Sequence, residues 1–172
     1  MSQALIRRAE AHDAEALSRL SAETFSATFA HLYPPADLEA FLDEAYAVER
    51  SRGHLTDAAT ATWLMEQDGE AMGYALAGPC GLPHPEVTPG CGELKRIYLL
   101  SAFQGGGRGS RLLQTALDWL EAEKTGDLWI GVWSGNLGAQ RLYERMGFSK
   151  VGEYTFRVGA TLDHEFILRR SR

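Results

Sequence analysis

The chain has 172 residues, 45% of them hydrophobic, and carries a formal net charge of −6. That length and content predict one domain, residues 1–172, with a sizeable core. The negative balance argues against nucleic-acid binding and favours a cationic partner, and no apolar run approaches the roughly 20 residues that span a bilayer.

The N-terminus lacks a signal-peptide apolar stretch. Cys80 and Cys91 read as two ordinary thiols of a reducing compartment, so the expected location is cytoplasmic. His12, His31, His54, His84 and His164 form no H-x-x-x-H pair, and no metal is expected.

Residues 4–9 suit an edge strand. Asp13 opens a helical pattern through Ala16, Leu17, Leu20 and Thr24 toward Phe29, which Tyr33-Pro34-Pro35 interrupts. Pro35 suits the first turn of a second helix, with Leu38, Phe41, Leu42, Ala45 and Tyr46 as its buried stripe. Thr60–Gln67 and Ala71–Ala77 read as strands joined by a hairpin turn at Asp68-Gly69-Glu70. The proline- and glycine-rich stretch 78–92 reads as a surface loop beside the functional site. Residues 93–100 and 127–134 read as the fourth and fifth strands, each followed by a helix. Lys150–Val158 and Thr161–Arg169 fit two antiparallel strands around Gly159-Ala160. This order predicts a mixed α/β sheet with helices on both faces.

The most informative stretch follows the fourth strand. Gln104-Gly105-Gly106-Gly107-Arg108-Gly109-Ser110 leads into a helix with Leu112, Leu113, Ala116, Leu117 and Leu120 on one face. A helix start exposes unpaired N–H groups and the positive end of its dipole, and glycines bare those groups to an anion. A phosphate or pyrophosphate site between Gly105 and Ser110 is therefore expected. It is not a P-loop, because no Lys-Ser or Lys-Thr pair follows the glycines. It does not fit the dinucleotide fingerprint, whose third glycine falls on Ser110.

What does match is Gln-x-x-Gly-x-Gly, as Gln104, Gly107 and Gly109. After the fifth strand, Leu128-Trp129-Ile130-Gly131-Val132-Trp133, come Asn136, then Ala139, Leu142 and Tyr143 at helical spacing, then Gly147-Phe148. Asn136 suits an N-cap and Gly147 a helix stop. Together these motifs resemble the GCN5-related N-acetyltransferase (GNAT) superfamily. The runs Ala22-Glu23-Thr24-Phe25, Tyr33 to Glu39 and Gly152 to Gly159 resemble its PaiA-type branch, which includes spermidine/spermine N-acetyltransferases. That branch usually carries acidic residues after the last glycine, where this chain has Ala160-Thr161-Leu162.

The resemblance implies the GNAT fold, an α/β (α+β layered) architecture whose mixed, mostly antiparallel sheet is splayed between strands 4 and 5. It implies acetyl-CoA as co-substrate. The pyrophosphate would sit on the loop of Gln104, Gly105, Gly106, Gly107, Arg108, Gly109 and Ser110. The pantetheine arm would pair with the backbone of Ile97, Tyr98 and Leu99 like an added strand. Asn136, Ala139 and Tyr143 would contact the cofactor further along, and many relatives dimerise, which allows a homodimer.

Two residues are candidates for the chemistry. Tyr143 would protonate the departing CoA sulfur. Glu93 would take the proton of the amine or attract a cationic acceptor. Strand alternation puts Glu93 on the face of Lys95 and Ile97. On the lysine model an aliphatic amine has a pKa near 10.4, so only about one in a thousand is nucleophilic at neutral pH and a base is useful. Phe25, Phe29 and Tyr33 are candidate walls for a small-molecule amine, holding an ammonium by cation–π contact or packing the first two helices. The expected activity is acetyl transfer from acetyl-CoA to a primary amine, with a polyamine among the acceptors. The alternatives are transfer to peptide or protein amino groups, and an acyl-CoA-binding regulatory module without turnover.

Overall fold

Residues 2–172 are described in this computed structural model. In chain order the elements are β1 (Leu5–Arg8), α1 (Ala14–Phe29), α2 (Pro35–Ala45), α3 (Val48–Thr56), β2 (Ala61–Gln67), β3 (Glu70–Pro79), β4 (Gly92–Leu99), α4 (Arg108–Glu123), β5 (Leu128–Trp133), α5 (Leu137–Arg145), β6 (Ser149–Val158) and β7 (Thr161–Arg170). None of these helices is long and apolar enough to cross a membrane.

The expected elements form, and one unexpected helix joins them. Val48 to Thr56 offers few apolar residues at helical spacing and contains Gly53, a poor helix former. It is helical because it packs against α1. The β2–β3 turn is tighter than expected: Asp68 and Gly69 alone make it, with φ of 53° and 82°. Both central residues are left-handed, the geometry that matches strand twist in a two-residue hairpin.

The sheet order is β1-β2-β3-β4-β5-β7-β6. Every neighbouring pair is antiparallel except β4 and β5, which run parallel. That parallel pair holds only at Gly92–Leu128, Glu93–Trp129 and Leu94–Ile130. Beyond Leu94 the strands part, while β4 stays paired to β3 as far as Leu99 and β5 to β7 as far as Trp133. Two strand edges therefore face one another across a wedge with no ladder between them.

A β-bulge at the apex of this wedge changes which side chains enter it. Leu76 pairs with Arg96 and Ala77 with Leu94, so Lys95 is left without an opposite residue. An extra residue shifts the alternation of a strand by one. Leu94, Ile97 and Leu99 consequently pack on one face with α4. Tyr98 joins the cluster of Phe25 and Phe29 on the other face, and the Arg96 guanidinium lies 4.9 Å from the centre of the Tyr46 ring. The expected sharing of a face by Glu93 and Ile97 is thus corrected. Glu93 pairs with Trp129, whose ring is on the side opposite the α4 core, and only Lys95 of the two expected neighbours stays beside it.

The main core lies between the sheet and α4 and α5. Leu112, Leu113, Ala116, Leu117 and Leu120 are all 0% exposed. Burial of each such leucine is worth about 1.5–3 kcal/mol, so this stripe anchors the glycine turn that precedes it. The opposite face carries α1, α2 and α3. Tyr46 is buried there, whereas Leu38, Phe41, Leu42 and Ala45 are half-buried, so the α2 stripe is shallower than expected. The helix leans on the tip of the β6–β7 hairpin instead. Thr161 Oγ1 donates to Asp37 Oδ2 at 2.6 Å, and a Cβ on Gly159 would stand 2.5 Å from the Asp37 Cα.

Candidate active site

The glycine turn has the features of an anion cradle. Gly105, Gly106 and Gly107 all have positive φ, at 90°, 62° and 75°. Other residues enter that region at a cost of roughly 1–2 kcal/mol, which explains three glycines in succession. The Arg108 N–H bonds to Gly105 O at 3.3 Å, and the Arg111 N–H closes the first helical ring on Gly107 O at 3.0 Å. Gly109 and Ser110 lie between them in the first turn, where helix N–H groups lack intrahelical acceptors. Open space stands where a Cβ of Gly105 or Gly107 would be. The Gln104 side chain donates to Leu99 O at 3.3 Å, tying the turn to the end of β4.

At the other end of the wedge is a cavity of about 380 Å³. Glu93, Ile97, Tyr98, Asn136 and Tyr143 all line it, as do Phe25, Phe29 and Tyr33. Both candidate chemical groups and all three candidate wall residues are therefore brought together. Leu99, the last residue of β4, packs against the main core, and residues 104–110 follow beyond the strand; none of them is among its walls. Ala139 packs against the main core.

Tyr143 is held by α5, whose two ends are both secured. Asn136 Oδ1 accepts from the Ala139 N–H at 3.2 Å, and Gly147 leaves the helix with φ 92°. The Tyr143 ring is buried, and that burial raises its hydroxyl above the ordinary phenol value. It is protonated at neutral pH and can serve as a proton donor. No hydrogen-bond partner for that hydroxyl is present among the described residues.

Glu93 is 9% exposed, so it is not a free surface glutamate. Its Oε2 accepts from the Gly81 N–H at 2.9 Å and from Lys95 Nζ at 3.2 Å. The first contact comes from the loop between β3 and β4, which borders the site as expected. The bulge brings the second into reach.

The aromatic residues both pack and enclose. Phe29 meets Tyr98 of β4 and Trp133 of β5 edge-on, with ring centres 6.3 and 5.9 Å apart. One ring thus closes the floor of the wedge from the α1 side. The Tyr33 hydroxyl donates to the Asp163 carboxylate.

Several pocket residues were given no site role by the sequence, although Tyr154 lies within the Gly152 to Gly159 run that carries the resemblance. Tyr154 of β6 and Glu165 of β7 both line the cavity and lie opposite each other across the two strands. Burial, then Asp163, pushes the Glu165 carboxyl up to about 7. His54 of α3 also lines the cavity; burial, then Arg96 and Lys95, lowers its pKa, so it is neutral at pH 7. For Glu165 the available signal was period-two alternation in β7, which sets Asp163 and Glu165 on the face of the buried Ile167.

Comparison with known proteins agrees with this geometry. The family model described as Acetyltransferase (GNAT) family matches residues 14–148. An uncharacterized N-acetyltransferase of Mycobacterium tuberculosis is 31% identical over 162 residues, covering 92% of this chain and 97% of its own. The spermine/spermidine N(1)-acetyltransferase of Bacillus subtilis is 29% identical over 90 residues, 52% of this chain and 59% of that one. Among solved structures, the PaiA N-acetyltransferase of Thermoplasma acidophilum in complex with coenzyme A superposes with a TM-score of 0.78 at 18% identity, over 99% of this chain and 100% of that one. The chain belongs to the GNAT acetyltransferase family. It is an acetyl-CoA-dependent acyltransferase of the N-acetyltransferase type.

Proposed function

We propose that the protein acetylates the primary amine of a small cationic acceptor, a class that includes polyamines. The observation that carries this reading is the convergence of Tyr143, Glu93 and the unpaired edge of β4 on one aromatic-walled cavity. A cavity of about 380 Å³ is of ligand size. It favours a small amine over an amino group on a folded protein. The partial similarity to a spermine/spermidine acetyltransferase supports the same acceptor class.

The residues fit acetyl-CoA in three places. The N–H groups from Gly105 to Ser110 would take the pyrophosphate, and the β4 edge at Ile97, Tyr98 and Leu99 would take the pantetheine amides. Asn136, at the head of α5, would contact the arm on the β5 side. When bound, the thioester supplies the acetyl group and a thiolate leaving group.

The amine nitrogen bonds to the acetyl carbon, and the carbon–sulfur bond breaks. A backbone N–H near Leu99 would stabilise the developing oxyanion, typically by about 3 kcal/mol per donor. Glu93 accepts the proton the amine loses, through water, and Tyr143 gives one to the sulfur. Exchange with solvent then restores both groups. Holding amine and thioester together in the cavity supplies a further large share of the acceleration.

The test is thiol release from acetyl-CoA with a panel of mono-, di- and polyamines, followed by mass spectrometry of the product. An acetylated amine formed with stoichiometric thiol is the expected result. CoA binding with no acceptor-dependent thiol would contradict the proposal and leave a regulatory module.

A further inference from the structure

The acceptor cavity has a carboxylate at each end, and only one of them has a role in the chemistry above. Glu93 sits at the apex of the wedge, level with Trp129. Glu165 is level with Trp133, four residues further along β5. At about 3.3 Å per residue the two levels are about 13 Å apart. Between them stands Tyr154, paired across β6–β7 with Glu165 and close enough to both carboxylates for each to act on its hydroxyl.

We propose that Glu165, backed by Asp163, seats a second ammonium group of the acceptor while the first reacts near Glu93 and Tyr143. The enzyme is then selective for amines carrying two positive charges several carbons apart. This rests on the amine-acetyltransferase reading above and adds to it the residue that sets acceptor preference.

Four observations carry it. Glu165 faces the cavity and takes no hydrogen bond from any described residue, so no protein group already answers its charge. Its cross-strand partners on both sides are aromatic, Trp133 and Tyr154, and rings beside a carboxylate suit an ammonium. Asp163, two residues away on the same face, adds negative charge while receiving, among the described residues, only the Tyr33 hydroxyl. Tyr143, 6% exposed, lines the same cavity with a hydroxyl that has no hydrogen-bond partner among the described residues, which marks it as a place built to receive a ligand. The two basic residues of the wall do not answer Glu165. Lys95 is bound to Glu93, and Arg96 lies over the Tyr46 ring. Desolvation and Asp163 both resist ionisation of Glu165, and a bound ammonium offsets both.

Calorimetry in the presence of saturating CoA, with α,ω-diamines and monoamines of equal chain length, tests this without turnover. The wild-type protein should bind the diamine at least tenfold more tightly than the monoamine. Glu165→Gln should reduce that preference to threefold or less, and Glu165→Asp should restore part of it. Equal binding of the two amines by the wild type would overturn the inference, and needs no variant to fold. A preference surviving intact in E165Q would overturn it as well. Diamine preference without thiol release would instead contradict the transferase reading while leaving the cation seat standing.

Discussion

Tyr143 has no partner for its hydroxyl among the described residues, and burial keeps that hydroxyl protonated, two properties that are costly in a core tyrosine and useful in a proton donor. Tyr143→Phe should therefore lower kcat tens-fold or more with CoA affinity unchanged, measured by thiol release and calorimetry; unchanged turnover would remove the assignment. Glu165 makes a second prediction at this scale. Its folded-state carboxyl titrates at about 7, well above the ordinary glutamate value. The folded protein thus holds this proton more tightly than the unfolded chain does. Stability from this group is full below about 4.5 and is lost as pH rises through about 7, by roughly 2–3 kcal/mol. Asp163 on its own strand is the charge that acts on it, Tyr154 on β6 lies opposite, and Glu93, Lys95, Arg96 and His54 line the same cavity. Urea denaturation between pH 5 and 8 should show the decline in the wild type and a flatter profile in Glu165→Gln. Tyr143 was legible in the sequence because its helix follows an Asn cap and ends at Gly147-Phe148. Glu165 was not, since one acidic residue in an alternating strand looks the same whether it meets water or a cavity.

Among the elements, the glycine turn and α4 act as one device: five fully buried side chains fix the helix, and three left-handed glycines aim its first N–H groups outward. Gly107→Ala should cost about 1 kcal/mol of stability, because φ is 75° there. It should also raise the CoA dissociation constant tenfold or more by placing a methyl group in the anion's space, as calorimetry would show. Leu117→Ala should cost about 2–5 kcal/mol in chemical denaturation without altering the turn's own conformation. Both elements were readable from local signals, glycine spacing and a 3.6-residue apolar period. The bulge at Lys95 was not, because it depends on register with β3, a partner twenty residues away in the chain. That single extra residue moved Ile97 to the face opposite Glu93. α3 was missed for a related reason, since its helicity comes from packing on α1 and not from its own composition.

At the scale of the whole molecule, the sheet is two halves hinged at three residue pairs, Gly92–Leu128, Glu93–Trp129 and Leu94–Ile130, with Phe29 filling the gap from one side. The expected splay between the fourth and fifth strands followed from the resemblance of two short motifs and could not be derived from propensity, which favours neither paired nor parted strands. Its consequence is that the edges of β4 and β5 retain unmet main-chain hydrogen-bonding capacity, a free strand slot for an amide-bearing ligand. Hydrogen–deuterium exchange of the wild-type protein, with and without saturating CoA, addresses this slot directly. Slowed exchange confined to residues 96–100, 104–111 and 131–137 is the predicted result. Binding of CoA with no protection of the β4 edge or the glycine turn, or no binding at all, would contradict the account.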